Sequence, residues 1–443
     1  MRALLIMLLC VALAACETMS DVTEIVTDAV GIEADNSVRP SELLDFEPVV
    51  KVEELWSGRY GKGVEELYIK LIPEHSGYKV FAADRDGRVI ALDLESGDEL
   101  WEVRNKKFRI SGGPGVGGGA VLVGTSDAEV IAFDSENGEE KWRTKVSSEV
   151  LAPPRIERDT AVIRTGDGKL FGLNVETGKR KWIYDRSIPT LTLRGTSPPV
   201  IYEGLVIAGF DNGRLAALDL ESGKQEWEQR IAIPSGRSGL ERMVDIDAEP
   251  TIYDDTIFVA SFQGSVAAVS VFDGQLLWTR ELSAYTTIGV DYAHVYVTDD
   301  DGNVWALSRD SGTAIWKQEG LTARQLTGPT VFEDYVVVGD FEGYLHWIDR
   351  NTGELVNRTR IDDERILVPA RATDDLLLGF SSSGVLSAYK TGGAITPEAE
   401  KDEDQDEERG GFFASEKDEA DDENGEPSPD DPEDEDDEYD WRY

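Results

Sequence analysis

Asp93-Leu-Glu-Ser-Gly97-Asp-Glu-Leu-Trp101 recurs at Asp134 to Trp142, Asn174 to Trp182, Asp219 to Trp227, Ser270 to Trp278 and Ser308 to Trp316. A seventh copy, Asp349 to Asn357, carries asparagine where the others end in tryptophan. The glycines of these copies (Gly97, Gly138, Gly178, Gly223, Gly274, Gly312 and Gly353) are 41, 40, 45, 51, 38 and 41 residues apart. A period near forty belongs to a solenoid or a propeller, and the content of each unit decides between them. Just ahead of each copy sits a second turn signal: Asp86-Gly87, Asp127-Ala128, Asp167-Gly168, Asn212-Gly213, Gln263-Gly264, Asp301-Gly302 and Glu342-Gly343, with an eighth at Ser383-Gly384. Alternating apolar residues follow each turn, as in Arg88-Val-Ile-Ala-Leu92, and a β-rich run such as Tyr335-Val-Val-Val-Gly339 precedes it. That is hairpin chemistry, and a helical period of adequate length is missing from the body.

Each unit is therefore a small antiparallel sheet, and the whole is an all-β propeller of four-stranded blades. Eight turn signals against seven complete Gly-x-x-x-Trp turns leave one outer strand missing after Ala388-Tyr389-Lys390. Val50-Lys-Val-Glu-Glu-Leu55-Trp56 matches it and supplies the seventh tryptophan. The sequence predicts eight blades across residues 49–392, with an N-terminal strand pairing into the last blade so that no sheet edge stays open. Trp56, Trp101, Trp142, Trp182, Trp227, Trp278 and Trp316 read as structural, each packing on the next blade. The Asp and Ser/Thr of each copy bond the turn backbone, and the glycine permits the turn.

Outward from the repeat, the two ends have different compositions. Met1-Arg2 followed by the apolar Ala3 to Leu13 is too short to span a bilayer and reads as a signal segment of residues 1–15. It ends in Leu13-Ala14-Ala15-Cys16, which resembles a bacterial lipobox, so Cys16 is the expected lipidation site and residues 16–48 a tether. Within the tether, Pro40-Ser-Glu-Leu-Leu44 offers a possible helix start. Glu17 after the cysteine favours the outer membrane over inner-membrane retention. The other cysteine, Cys10, lies inside the segment to be removed, so no disulfide holds the mature chain.

Residues 393–443 read as a disordered acidic tail: from Thr396 to Tyr443 there are 24 Asp/Glu and 4 Lys/Arg, whereas the rest holds 64 acids and 40 bases. The total of −44 excludes nucleic acid as a default partner. The tail's ending, Tyr439-Asp-Trp441-Arg-Tyr443, faintly resembles the C-terminal signature of outer-membrane barrel proteins.

The pattern Ala-x-Asp-x-x-Ser/Thr-Gly-x-x-x-Trp resembles the tryptophan-docking repeat of the pyrroloquinoline-quinone (PQQ) dehydrogenase superfamily. Lipobox, length and eight units are similar to its BamB family, a lipoprotein of the β-barrel assembly (BAM) machinery, over about Lys51 to Lys390. That resemblance implies a non-catalytic outer-membrane scaffold on the periplasmic face. It would bind BamA, and through it the other BAM subunits, with unfolded outer-membrane proteins as a further partner.

Interval lengths sharpen this reading. From Trp182 to Gly213 is 31 residues and from Trp227 to Gly264 is 37, against 24 to 27 for most others; Trp56 to Gly87 is also 31. Extra residues become loops on a face. By residue match to the family, Leu191, Leu193 and Arg194 on the first loop, with Asp245 and Asp247 on the second, would contact BamA. The two leucines alternate with threonine and so share one side of an extended segment. The aspartates either pair with Arg194 or meet a basic partner.

The alternative is a PQQ-dependent dehydrogenase, which needs the family's adjacent cysteine pair, calcium carboxylates and catalytic aspartate. A mature region without cysteine argues against it, and neither a cofactor nor a metal is expected. Gly112-Gly-Pro-Gly-Val-Gly-Gly-Gly119 lacks the Gly-Lys-Ser/Thr ending of a phosphate loop and reads as a loop into a blade. Asp299-Asp-Asp-Gly302-Asn coincides with a hairpin turn, which outweighs a calcium reading. His75, His294 and His346 are too dispersed for a zinc site.

Overall fold

Turn chemistry repeated every forty residues produces eight sheets in a ring (a computed structural model), which describes residues 38–64, 67, 69–186, 197–234 and 244–395. The ring lies within one unit, residues 1–395; residues 396–443 form a second unit outside the description. Blade 1 is typical: inner strand Glu74–Ser76, then Lys79–Ala83, Arg88–Asp93 and outer strand Glu99–Arg104, each antiparallel to the last. Strands run alternately up and down. Turns between second and third strands therefore share one face with the connections from each outer strand to the next inner strand. That face is called the connection face below. No helix occurs among the described residues.

Closure follows the predicted plan. Val50–Arg59 is the outer strand of blade 8 and pairs antiparallel with Val385–Ala394, from Val50 opposite Ala394 to Arg59 opposite Val385. The paired strand extends two residues past the predicted boundary.

The tryptophans do more than pack. Trp56 Nε1 donates to Leu94 O at 3.0 Å, Trp101 to Ser135 O at 3.1 Å, Trp142 to Val175 O at 2.6 Å and Trp182 to Leu220 O at 2.8 Å. Trp227, Trp278 and Trp316 do the same to Val271, Arg309 and Arg350. Every acceptor lies three residues before the repeat glycine of the next blade. That glycine lies against the ring: a Cβ on Gly97 would sit 2.7 Å from Trp56 Cδ2, and its φ of +74° is itself a glycine conformation. Asp93 Oδ1 takes the amides of Glu95 and Ser96, fixing the turn on which the indole rests.

The missing eighth tryptophan has a physical reason. Blade 8 takes its outer strand from the N-terminus and so has no Asp-x-x-x-Gly turn to receive a ring. Asn357, in the tryptophan's place on blade 7, is buried and donates Nδ2 to Val50 O at 2.6 Å. It grips the closing strand instead.

Two expectations need adjustment. The glycine-rich run is not a loop: Ile110–Gly117 is the inner strand of blade 2, and Lys70–Leu71 pairs parallel to it as a fifth strand. Glycine is needed because a Cβ on Gly115 would lie 2.1 Å from Pro154 O of blade 3. Pro40 to Leu44 forms no helix. The Asp299 reading stands, since Asp299 is buried and accepts from Asn303 N at 2.7 Å and Trp305 Nε1 at 2.7 Å within its own hairpin.

Candidate partner-binding face

On the connection face lie the described ends of the two long segments, Arg186 and Ser197 of the first and Pro234 and Val244 of the second. Leu191, Leu193 and Arg194 fall in 187–196, outside the described residues, as do residues 235–243 of the second segment and Cys16. Asp245 and Asp247 are described, and both are buried, at 1% and 5% exposure. They are set by backbone contacts with blades 4 and 5. Phe262 N donates to Asp245 O at 3.0 Å and Ile246 N to Phe210 O at 3.4 Å. Ile246 lies where a side chain on Gly209 would otherwise be, 2.3 Å from the would-be Cβ.

The counter-charges come from residues that the sequence did not single out. Arg164 ends the second strand of blade 3 at 1% exposure. Its guanidinium donates to Gly209 O, to Ser197 O at 3.4 Å and to Asp211 Oδ1 at 3.3 Å, and it stacks 5.1 Å from the Phe210 ring. Lys70 Nζ donates to Asp247 O at 2.8 Å, joining the segment ahead of blade 1 to the one ahead of blade 5.

Burial dominates the electrostatics here. It pushes the Asp247 carboxyl up to about 7, against the pull of the Lys70 ammonium, and the neighbouring Asp245 and Asp211 add to the rise. Asp211 is also raised by burial, with Arg164 opposing. Lys70 and Arg164 are both lowered by burial. Among the described residues, Asp247 Oδ1, Arg164 Nε and Asn212 Oδ1 are buried without a hydrogen-bond partner. Polar atoms left so cost about 1–3 kcal/mol each, so this corner of the face is under-bonded.

A better-satisfied layer lies beside it, where inner strands begin around the axis. Glu74 of blade 1 receives Arg155 of blade 3 at 3.4 Å and also Arg371 of blade 8, while Arg155 reaches Glu249 ahead of blade 5. Burial alone would raise the Glu74 carboxyl, but Arg371 and Arg155 together hold it below its usual value. A cavity of about 450 Å³ opens next to this layer, lined by the apolar Ile72, Leu326, Ile366 and Val368 and by the charged Lys70, Asp247 and Glu249.

Two signals in the sequence pointed here unread. Lys70 falls in the 31-residue interval from Trp56 to Gly87, and Arg164 directly follows the apolar run Ala161-Val-Ile163 of its strand.

The comparisons agree with the repeat. Residues 85–318 match the family described as outer membrane protein assembly factor BamB. An assembly factor of that name from Xanthomonas campestris pv. campestris is 39% identical over 366 residues, 81% of this chain and 90% of that protein. The one from Pseudomonas aeruginosa is 41% identical over 350 residues, 79% of this chain and 92% of that protein. Among solved structures, BamB from Moraxella catarrhalis superposes with a TM-score of 0.71 at 26% identity, over 77% of this chain and all of that one. A quinohemoprotein alcohol dehydrogenase from Comamonas testosteroni reaches 0.60 at 14% identity, over 79% of this chain and 78% of its own, and so shares the fold alone. Repeat, ring closure and kinship over four-fifths of its length converge: this chain belongs to the BamB family of outer membrane protein assembly factors.

Proposed function

We propose that the chain is a non-catalytic scaffold of the BAM complex that binds BamA through its connection face and assists insertion of outer-membrane proteins. The observation that supports this reading is that the ends of both long intervals, at Arg186 and Ser197 and at Pro234 and Val244, flank a corner of buried charge that is under-bonded among the described residues. Leu191, Leu193 and Arg194 would make the direct contacts, apolar anchors beside a planar donor fork. Asp245 and Asp247, being buried, would act by shaping the second segment rather than by reaching out. Through BamA the scaffold would meet the other BAM subunits and, at its surface, unfolded outer-membrane proteins. Cys16 would carry the acyl chains and hold the propeller at the periplasmic side of the outer membrane.

The test is affinity purification of the tagged lipoprotein from detergent. BamA is expected to co-purify with the wild-type chain and to be lost on combining Leu193→Ala with Arg194→Ala. A quinone absorbance spectrum in a preparation free of BamA would replace the scaffold with the dehydrogenase reading.

A further inference from the structure

Residues just ahead of the closing strand are fastened to blade 7 and to the connection that leads into it from blade 6. Ser41 N donates to Thr322 O at 3.0 Å and its Oγ to Gly320 O at 3.1 Å. Arg324 Nη1 returns a bond to Ser41 O at 3.0 Å. Further along, Arg358 Nη2 donates to Leu44 O at 3.0 Å, and its guanidinium lies 5.1 Å from the Phe46 ring. Val49 N then meets Val356 O at 3.0 Å, where the closing strand begins.

The two arginines belong to one chain of bonds whose centre, Asp340 and His346, is buried. Arg324 Nε and Nη2 hold Asp340 Oδ2 at 2.8 and 2.7 Å, and Nη2 also reaches Glu342. The same Asp340 oxygen meets His346 Nε2 at 2.9 Å, and Arg358 Nε meets His346 Nδ1 at 3.4 Å. Asp340 and His346 are fully buried. An arginine only donates, so Nδ1 must hold the lone pair; Nε2 then carries the hydrogen and donates to Asp340. The neutral tautomer is thus built into the clamp.

We propose that Arg324, Asp340, His346 and Arg358 form an acid-released latch holding residues 38–49 on blade 7. Protonation of His346 places a hydrogen on Nδ1, facing the Arg358 guanidinium that now donates to it. The bond is lost, two cations face each other, and Arg358 withdraws from Leu44 and Phe46. Around His346 the charged and titratable groups are Arg324, Arg358, Asp340, Glu342 and Tyr344, with Asp45 of the strap acting on Arg358. Burial holds the imidazole below its ordinary range; Asp340 opposes this, while Arg358 and Arg324 add to it. Release therefore belongs to acid, not to neutral pH. Freeing twelve residues adds about 40 Å of extended reach between the N-terminal segment and the ring. That gain in reach rests on the proposed anchoring through Cys16; the latch itself does not.

Hydrogen exchange on the full chain tests it, following the Ser41 and Val49 amides between pH 7.5 and 4.5 with correction for intrinsic rates. Protection of both is expected to fall at least tenfold in acid, while amides of Thr256–Ala260 in blade 5 keep theirs. His346→Gln offers one donor and one acceptor but takes no proton, and should give a flat profile. Arg358→Ala should expose Val49 at every pH. An acid loss that persists in His346→Gln, or wild-type protection that does not change, would overturn the latch. The mass of the N-terminal peptide reports acylation of Cys16 separately, so failure of the anchor and failure of the latch give different results.

Discussion

Two clusters of buried charge sit on the same face of this ring and are built to opposite standards. In blade 7, Arg324, Asp340, His346 and Arg358 each find partners, and the cluster clamps the chain's own strap. Across blades 3 to 5, Arg164, Asp211 and Asp247 share charge, yet Arg164 Nε and Asp247 Oδ1 find no hydrogen bond among the described residues. Buried ions stabilise a fold only when geometry offsets their desolvation. The first cluster meets that condition and is structural. The second does not among the described residues, which makes it a candidate for another task, to be separated from a structural one by experiment.

The sharpest way to break this comparison is to remove the central acid from each cluster. Asp340→Ala leaves Arg324 and His346 buried without their shared partner, and a loss of about 3–5 kcal/mol is expected in denaturant unfolding at pH 7. Asp247→Asn should cost nothing of that order. Equal losses would mean that the two clusters do the same work.

Next in size is pH, because the clusters tilt in opposite directions. Asp247 holds its proton up to about 7 when folded, whereas an unfolded aspartate releases it near 3.9. Between those values the folded state binds more protons, so stability falls as pH rises, by up to about 1.4 kcal/mol per unit. His346 and Asp340 are both lowered by folding. Below about 6.5 an unfolded histidine takes up the proton first, so stability falls as pH falls. Asp340 adds a loss in the same direction as pH drops through its depressed range. Melting curves across pH 4 to 8 should show Asp247→Asn removing the first slope and His346→Gln removing part of the second.

At pH 8, Asp247→Asn should stabilise by about 1–2 kcal/mol, since it removes a poorly compensated buried charge. The same variant is expected to recover less BamA in pull-downs. Stability and binding moving in opposite senses would mark the under-bonded corner as functional; a parallel fall would make it structural. The smallest effect belongs to the strap. Ser41→Ala removes a side-chain bond to Gly320 O and should cost about 0.5–1.5 kcal/mol, read in the melting temperature.

Legibility in the sequence tracked the range of the interaction. Turn residues such as Asp93, Ser96 and Gly97 act within one hairpin, so their spacing betrays the hairpin directly. Trp56 contacts Gly97 forty-one residues on, yet it too was readable because the same relation recurs seven times. Interval length and family likeness single out Asp245 and Asp247 in the sequence, but not their burial. Lys70 and Arg164 were missed, since each occurs once and bonds residues from another blade. The glycine run reads as a loop in sequence because its cause, the carbonyl of Pro154 beside Gly115, lies just ahead of the neighbouring blade's inner strand.

The number of blades, the place of closure and the docking of seven tryptophans are written in the chain, because periodic local chemistry repeats its message. Only the tertiary structure decided which charges meet. Lys70 reaches Asp247 across 177 residues and Arg371 reaches Glu74 across 297, and Asn357 holds Val50 across 307. Such contacts exist only once the ring is shut. No spacing along the chain encodes them, because closure alone brings the first blade beside the last.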